Sequence, residues 1–497
     1  MTLTTLLIYV AIAGLILTFL TSNVLKAKKS WLMSFLQNFV GALFIFSGWV
    51  KAVDPLGTAY KMEQYFAEFE ATFDGTAFSF LAPLFPLLTN YVVPFSVIMI
   101  VFEILLGFML ILGHKPKFTV WAFFLLVAFF TFLTGFTFLT GYVPGDVNFF
   151  EFSKWSAYDA NNMKVTDCGC FGDFIKLEPR ISFYKDIFLL FPAIYFIVRS
   201  KDMHVLWTRT ARNISLSVLT IGLVIYCFSN YVWDLPHKDF RPFKKGSNIA
   251  EQKQLEENAM ANVQILSYIL ENKSSGEKLE LPYAEYLKTF QDYPSEEWNF
   301  EQVLSEPTIE PTKVSDFDIF DLEGYSLNDA ILYEDNTLFL LVAHKIYGDG
   351  IAGTQIVKDT IFQIDTIRTG TNGEFRIERN IGSIEERTES FINYLWKDFY
   401  AQRYSDVVKP FVDEALAKDI RVIAAVGGAD EAQLQDFESD LDLNIEYGVA
   451  DDILLKTIVR SNPGIVLIKN GVILDKWHFK KLPSFQQVYD RYLVGTE

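Results

Sequence analysis

The stretch YVVPFSVIMIVFEILLGFMLILG, residues 91–113, contains a single residue of the types Asp, Glu, Lys and Arg, namely Glu103. An α-helix rises 1.5 Å per residue, so about 20 apolar residues cross the hydrocarbon core of a bilayer. The stretch is therefore predicted to be a membrane-spanning helix. A charge inside the membrane is costly unless it is neutralised, paired or hydrated, which makes Glu103 a candidate for proton handling or quinone binding. The alternative is a protonated carboxyl group that is hydrogen-bonded to a neighbouring helix.

Five more apolar stretches of similar length accompany this one. They are residues 3–21, 32–50, 118–142, 181–199 and 213–232. Residues 77–90 are also apolar, but Pro83 and Pro86 interrupt them, so a re-entrant or interfacial segment is predicted there. The prediction for residues 1–233 is consequently an α-helical membrane bundle of about six spans.

The basic residues predict the orientation of this bundle. They follow the first, third and fifth spans, and they are Lys26, Lys28, Lys29, Lys115, Lys117, Arg199, Lys201, Arg209 and Arg212. Loops rich in Lys and Arg are cytoplasmic. We therefore expect a protein of the bacterial inner membrane whose N-terminus and C-terminal domain are both periplasmic. The lysines after the first span are typical of a stop-transfer flank rather than of a cleaved signal peptide.

Charge divides the chain into two parts of different character. Residues 1–233 contain 16 Lys or Arg and 14 Asp or Glu, whereas residues 234–497 contain 27 and 47. This acidic balance disfavours nucleic-acid binding, which needs clustered Lys and Arg. The cysteine count, three in 497 residues, excludes a secreted scaffold that is held together by disulfides. The expected partners are membrane lipid and an extracytoplasmic protein.

Two of the cysteines form the sequence Cys168-Gly169-Cys170 in the loop before the fifth span. An extracytoplasmic position permits a disulfide between them, and so small a ring departs from relaxed geometry, which makes the bond easier to reduce. The pattern indicates a redox-active dithiol, with a structural disulfide or an inert thiol pair as the alternative. No His accompanies the sulfur atoms in this loop, so no metal is predicted. Cys227, in the sixth span, is interpreted as a packing residue.

Three further ionisable residues lie at the ends of spans. Lys51 closes the second span and is interpreted as an interfacial anchor, because its long side chain can reach the membrane surface. Lys185 and Asp186 open the fifth span and are expected to satisfy each other.

The run GALFIFSGWVKAVDP, residues 41–55, resembles the second-span signature of DoxX-like membrane proteins. Glu103 and the CGCFG loop, followed by the sequence FYKD, resemble the MauE branch of that group. The resemblance implies a four-helix core of the kind also seen in vitamin K epoxide reductases and an association with disulfide formation in periplasmic proteins. In that picture Cys168 and Cys170 carry the electrons, and a quinone is the acceptor. The added spans and the large C-terminal tail depart from the family pattern and leave the substrate open.

Residues 234–310 are predicted to be a periplasmic connector, and residues 311–497 alternate strands with helices. Strands are expected at 316–321, 337–343, 421–426, 465–469 and 472–477, and helices at 386–404, 405–418, 430–440 and 484–493. This order resembles an α/β thioredoxin-like fold. Asn470-Gly471 predicts a hairpin between the last two strands. Residues 348–386, which include Gly370 and Gly373, are predicted to be an inserted extended hairpin or loop.

The resemblance to thioredoxin-like proteins also predicts a partner-binding groove. Pro463 stands where that family keeps its cis-proline, and His344 begins the segment where its Cys-x-x-Cys motif is expected. No cysteine follows Cys227, so this domain cannot exchange dithiols. We interpret His344 as a surface or packing residue rather than a catalytic one, in a groove that binds a partner beside Pro463.

Two hypotheses follow from these patterns. In the first, the protein is a quinone-linked thiol–disulfide oxidoreductase of the cell envelope that acts through Cys168 and Cys170. In the second, it is a non-enzymatic membrane assembly or scaffold component whose redox-inactive tail binds an envelope partner. Transport through the bundle is a third possibility, supported by Glu103 alone.

Overall fold

The computed structural model of the protein describes residues 2–165, 168–335, 337–369 and 374–494. Gly370 and Gly373 of the predicted insertion lie outside the described residues. The contacts divide the chain into two units, Met1–Lys244 and Lys245–Glu497, which are taken in turn.

The first unit is helical. Its helices are α1 (Leu3–Phe19), α2 (Trp31–Val53), α3 (Pro55–Phe73), α4 (Leu84–Asn90), α5 (Val92–Leu112), α6 (Pro116–Thr140), α7 (Pro179–Val198) and α8 (Arg209–Phe228). Short π-helical turns extend α1 to Val24 and α8 to Trp233. Within the described residues, six helices are long and apolar enough to cross a membrane, namely all of these except α3 and α4. The predicted number of membrane helices is therefore confirmed.

Two helices of this unit are too short or too polar to count as spans. Residues 77–90 contain a 3₁₀ turn, Ser79–Leu81, and the seven-residue helix α4, so this apolar segment does not form a span of its own. The 19-residue helix α3 was not predicted. It begins at Pro55, where the Asp54 side chain accepts a hydrogen bond from the Gly57 backbone N–H.

Helices α2 and α5 approach each other closely because glycines face one another. A Cβ atom added to Gly41 would lie 2.8 Å from the carbonyl oxygen of Gly107, and one added to Gly107 would lie 2.7 Å from that of Gly41. Small residues at such an interface allow the two backbones to come together. The close approach brings the side chain of Lys51, on α2, to that of Glu103, on α5.

The second unit contains three sheets. Its strands are β1 (Ile265–Asn272), β2 (Lys278–Pro282), β3 (Trp298–Leu304), β4 (Ile319–Asp321), β5 (Thr337–Ala343), β6 (Gly348–Thr369), β7 (Glu374–Trp396), β8 (Arg421–Val426), β9 (Glu446–Ala450), β10 (Gly464–Lys469) and β11 (Val472–His478). Its helices are α9 (Ile249–Ala261), α10 (Tyr283–Thr289), α11 (Asn328–Leu332), α12 (Asp398–Arg403), α13 (Lys409–Leu416), α14 (Glu431–Leu441), α15 (Asp452–Ile458) and α16 (Phe485–Tyr492).

The largest sheet has six strands in the order β11-β10-β5-β8-β9-β4. Strands β5, β8 and β9 are parallel, whereas β10, β11 and β4 pair antiparallel with their neighbours. Strands β5 and β8 are almost wholly buried, as their continuous apolar runs predict. The hairpin predicted at Asn470-Gly471 is confirmed, because both residues have positive φ and join β10 to β11.

Strands β1, β2 and β3 form a separate antiparallel sheet in the order β2-β1-β3. Strands β6 and β7 pair only with each other, as a long antiparallel ribbon that contains the predicted insertion. The helix predicted at 386–404 is wrong over its first part. Residues up to Trp396 belong to β7, and the helix begins at Asp398. Pairing with residues 348–358 of β6 satisfies the backbone there instead of a helix.

Candidate functional site

A buried ion pair joins α2 to α5. The Nζ atom of Lys51 donates a hydrogen bond to Oε2 of Glu103 at 2.7 Å, and the two side chains are 8% and 4% exposed. The ammonium group also lies 5.1 Å from the centroid of the Phe130 ring. The interpretation of Lys51 as an interfacial anchor is therefore wrong, since its charge lies inside the bundle. Glu103 is bonded to a neighbouring helix, as the alternative prediction required, and the donor is the ammonium group of Lys51.

A second buried ion pair lies at the start of α7. Lys185 Nζ is 2.5 Å from Oδ1 of Asp186, and these side chains are 13% and 3% exposed. The other carboxylate oxygen of Asp186 accepts a hydrogen bond from Thr134 Oγ1, on α6, at 3.0 Å. The expectation that Lys185 and Asp186 satisfy each other is confirmed. Lys185 is also within electrostatic range of Glu103, so the two ion pairs are neighbours.

The Cys168-Gly169-Cys170 turn packs against the bundle. Both cysteines are half-buried, and they are present as thiols rather than joined in a disulfide. Gly169 has φ +61°, a left-handed conformation that favours glycine, and its carbonyl oxygen accepts a hydrogen bond from the Gly172 backbone N–H at 3.2 Å. Ser47 Oγ, on α2, donates to the carbonyl oxygen of Cys170 at 2.8 Å. This bond ties the turn to the helix that carries Lys51.

The residue after Cys170 anchors the turn to α7. The Phe171 side chain is fully buried, and the centroid of its ring lies 5.8 Å from Lys185 Nζ. The same ring lies against Phe46 of α2, with the two centroids 6.5 Å apart. The turn is thus held between the two helices that supply the lysines of both ion pairs.

The thiol of Cys170 lies among opposing charges. Burial raises the pKa of the Cys170 thiol, and the carboxylate of Asp186 acts in the same direction. The ammonium groups of Lys185 and Lys51 act in the opposite direction, because a positive charge stabilises the thiolate. The hydroxyl of Ser182, which is fully buried on α7, also acts to lower the pKa of Cys170. This arrangement can hold a thiolate in an apolar setting and offers groups that can carry protons.

Helix α3 contributes residues that the sequence analysis missed. A Cβ added to Gly169 would lie 3.2 Å from Cγ of Lys61, so this helix covers the turn. One turn further along α3, the hydroxyl of Tyr65 is 2.9 Å from Oγ1 of Thr137. Burial and the neighbouring Cys168 raise the pKa of Tyr65 well above its usual value. The spacing of Phe66, Phe69 and Phe73 could have predicted α3, because it is typical of a helix with one apolar face.

The two candidate groove residues of the second unit lie at one end of its largest sheet. His344 directly follows β5, and Pro463 directly precedes β10, which pairs with β5. The Asn462–Pro463 peptide bond is cis, and Asn462 Nδ2 donates to the carbonyl oxygen of Lys345 at 2.7 Å. Burial lowers the pKa of His344 to about 3, and the nearby charge of Lys456 adds to this effect. The imidazole is consequently neutral at physiological pH.

The predicted site residues therefore fall into two groups. Cys168, Cys170 and Glu103 belong to one cluster in the helical unit, linked through Lys51 and Lys185. His344 and Pro463 belong to the sheet unit. Within the part of the chain that the structure describes, no group of three or more His, Cys, Asp and Glu side chains could hold a metal ion.

Comparison with protein families matches residues 29–144 to the family described as methylamine utilisation protein MauE. The matched range includes Lys51 and Glu103 and ends before Cys168. Comparisons with curated proteins and with solved structures gave no match. The matched range runs from the loop before α2 to just beyond the end of α6 and so contains three of the six apolar helices. Residues 29–144 of this helical membrane protein are therefore a MauE family domain.

Proposed function

We propose that this protein is a membrane thiol–disulfide oxidoreductase, in which Cys168 and Cys170 accept electrons from an extracytoplasmic protein and pass them to a quinone. The observation that carries the proposal is the position of Cys170 beside two buried ion pairs, Lys51–Glu103 and Lys185–Asp186. A structural thiol needs no buried charges, and burying them is costly. Perturbed ionisable groups that cluster around a nucleophile are typical of functional sites.

The reaction has two half-steps, and each transfers two electrons. A dithiol of the partner protein reduces the Cys168–Cys170 disulfide, so that one disulfide forms in the partner and two thiols form in this chain. A quinone then accepts two electrons and two protons from these thiols and becomes a quinol, while the Cys168–Cys170 disulfide forms again. Lys51, Glu103, Lys185 and Asp186 are the groups near Cys170 that can hold or move the protons.

The residues around Cys170 suit a quinone in their chemistry. The ammonium groups of Lys51 and Lys185 are donors for its carbonyl oxygens, and the Phe130 and Phe171 rings, which lie near them, offer apolar faces for its ring. A bound quinone would supply the two-electron acceptor. The MauE family domain contributes Lys51, Glu103 and Phe130 to this set.

We further propose that the second unit contains a thioredoxin-like domain that binds the partner without reacting with it. Two features support this role: the parallel strands β5, β8 and β9 followed by the β10–β11 hairpin, and the absence of cysteine after Cys227. The basic loops after the first, third and fifth spans support a periplasmic position for this domain and for the cysteine turn, outside the inner membrane. Protease added to spheroplasts should remove the tail, and an intact tail would contradict this orientation.

Thiol counting on the purified full-length protein tests the redox function. After reduction and removal of the reductant, a fully substituted benzoquinone, which thiols cannot alkylate, is added, and the remaining thiols are counted by maleimide mass tagging. We expect the loss of two thiols and the formation of one quinol per protein. Cys227→Ser should behave in the same way, whereas Cys168→Ser and Cys170→Ser should lose none.

The scaffold hypothesis predicts a different outcome from the same experiment. If the two thiols persist in excess quinone, and if Cys168→Ser and Cys170→Ser retain the protein's function in cells, then the turn has a structural role only. The redox proposal would then be wrong, while partner binding by the tail would stand.

A further inference from the structure

The β6–β7 ribbon exposes apolar side chains along most of its length. Strands β6 and β7 pair with no other strand that the structure describes, and an isolated two-stranded ribbon is only marginally stable in water. Six of its isoleucines are between 55% and 71% exposed: Ile356, Ile364, Ile377, Ile381, Ile384 and Ile392. A ribbon of this composition needs a partner surface to cover it.

All six isoleucines lie on one face. Residues directly opposite in a pair share a face, and the register pairs Ala352 with Ile392, Thr360 with Ile384, and Phe362 with Ile381. The even-numbered residues of β6 therefore share a face with Ile392 and Ile384, which are even-numbered, and with Ile381, which is odd-numbered.

A bulge makes this arrangement possible. Between the pairs Ile361–Ser383 and Phe362–Ile381 the register shifts by one residue, which leaves Gly382 without an opposite number. Without the shift, Ile381 and Ile377 would point to the other side of the ribbon. The bulge thus keeps the apolar face continuous along both halves of β7.

Three charged residues of this face lie against close partners. Lys358 and Glu386, which are opposite each other, form an ion pair at 2.9 Å, and the Arg379 guanidinium lies 3.7 Å from the centroid of the Phe362 ring. The reverse face is more polar and carries the Asp359–Arg387 ion pair at 2.6 Å. One face of the ribbon is therefore largely apolar and the other is more polar, as expected of a ribbon that packs against a partner through one face.

We propose that this isoleucine face is a dimer interface that packs against the same face of a second copy of the chain. The six isoleucines expose roughly 700 Å² of apolar surface, close to the ~800 Å² that each partner buries in a standard interface. A largely apolar face can pack against a copy of itself under a twofold axis, which is the commonest symmetry of soluble oligomers. The membrane helices add a further reason, because anchoring several copies in one membrane raises their effective concentration.

Cross-linking in native membranes tests the interface directly. In a background with Cys168, Cys170 and Cys227 replaced by Ser, Thr360→Cys places a thiol in the middle of the isoleucine face, and Ser383→Cys places one on the reverse face beside it. Packed sheets lie about 10 Å apart, within reach of a short bis-maleimide. We expect Thr360→Cys to give cross-linked dimers at least fivefold more efficiently than Ser383→Cys.

Light scattering of the full-length protein in mild detergent provides a second measurement. The wild type should have the mass of a dimer, Ile381→Lys with Ile384→Lys should convert it to a monomer, and Ile361→Lys on the reverse face should leave it unchanged. A monomeric wild type together with no cross-linking through Thr360→Cys would overturn the proposal. If Thr360→Cys is shielded from a water-soluble maleimide but does not cross-link, lipid or a different protein covers the face, and the proposal is equally wrong.

Discussion

The helical unit and the sheet unit differ in the charge of the titratable groups at their candidate sites: the groups are charged and paired in the first and neutral in the second. Around Cys170, two ammonium groups and two carboxylates are buried in ion pairs. At the end of β5, burial keeps the imidazole of His344 neutral. The first arrangement can stabilise charge on a sulfur atom, whereas the second stabilises none. The comparison indicates that any thiol chemistry of this chain belongs to the bundle and that the sheet supplies a surface.

The largest effect should come from breaking the Lys51–Glu103 pair. Removing one partner leaves an uncompensated charge inside the bundle, so Lys51→Met should lower the free energy of unfolding in detergent by about 3–5 kcal/mol. The double variant Lys51→Met with Glu103→Gln should recover most of that loss, because no charge is then left alone. Denaturation in mixed micelles measures both values.

The Glu151–Lys154 pair provides the control for this prediction. Its atoms are also 2.7 Å apart, but its side chains are 43% and 60% exposed, so water replaces the lost partner. Glu151→Gln should leave the unfolding midpoint unchanged. If Lys51→Met has as little effect as Glu151→Gln, then the pair is solvated in the protein and the bundle does not hold charge in the way described.

His344 should make the sheet unit less stable in acid. Its pKa is about 3 in the folded chain and about 6.5 when unfolded, so below pH 6.5 the unfolded chain binds a proton that the folded chain does not. The stability that a neutral His344 contributes is complete above pH 6.5 and is lost as the pH falls toward 3. Between pH 7 and pH 5 we expect a loss of about 1–2 kcal/mol.

His344→Gln should remove that pH dependence, and Lys345→Gln, a change at the exposed neighbouring residue, should retain it. Pulse proteolysis of the full-length protein in urea at pH 7 and pH 5 measures the difference. An equal acid sensitivity of the wild type and His344→Gln would show that the imidazole is protonated in the folded protein, which would remove the contrast with Cys170.

The sequence predicted those parts of the fold that depend on local patterns. The six apolar helices and the Asn470-Gly471 hairpin depend on runs of hydropathy and on turn chemistry, which neighbouring residues determine. The helix expected at 386–404 failed because the pairing of β7 with β6 overrides a local helical preference. Lys51 was misplaced for a similar reason: its partner Glu103 lies on another helix, 52 residues away.

The sequence predicted the cysteines of the candidate site, but it predicted only some of the residues that surround them. Cys168 and Cys170 are noticeable in the sequence because two cysteines separated by a single residue are uncommon. Glu103 is noticeable because an acidic residue within a membrane span is uncommon as well. Their grouping depends on the close contact of Gly41 with Gly107 and on the seating of Phe171 between α2 and α7, which are contacts between distant parts of the chain. Tyr65 was missed because α3 is mixed in polarity.

Lys185 should set the reactivity of Cys170. Its positive charge lowers the pKa of this thiol, so Lys185→Met should raise that pKa and shift the pH profile of alkylation to higher pH. With Cys168 and Cys227 replaced by Ser, we expect about tenfold slower iodoacetamide alkylation at pH 7.5, which corresponds to one pKa unit. Lys185→Arg should keep the wild-type profile, and so should Lys176→Met, a change at an exposed lysine of the same loop. Superimposable profiles for Lys185→Met and its parent would contradict an electrostatic role for this ion pair.

The smallest effect is expected at Tyr65, and it separates the two cysteines of the turn. Burial and Cys168 raise the pKa of Tyr65, so its hydroxyl stays protonated and can donate to the sulfur of Cys168. Tyr65→Phe removes one such hydrogen bond, worth about 1 kcal/mol, so alkylation of Cys168 should slow by about fivefold with Cys170 and Cys227 replaced by Ser. The exposed Tyr91→Phe should have no effect. If alkylation slows at Cys168 and is unchanged at Cys170, then α3 tunes the first thiol and α7 the second. If alkylation changes at neither cysteine, then α3 only covers the turn, and the polar chemistry of the bundle is confined to its two ion pairs.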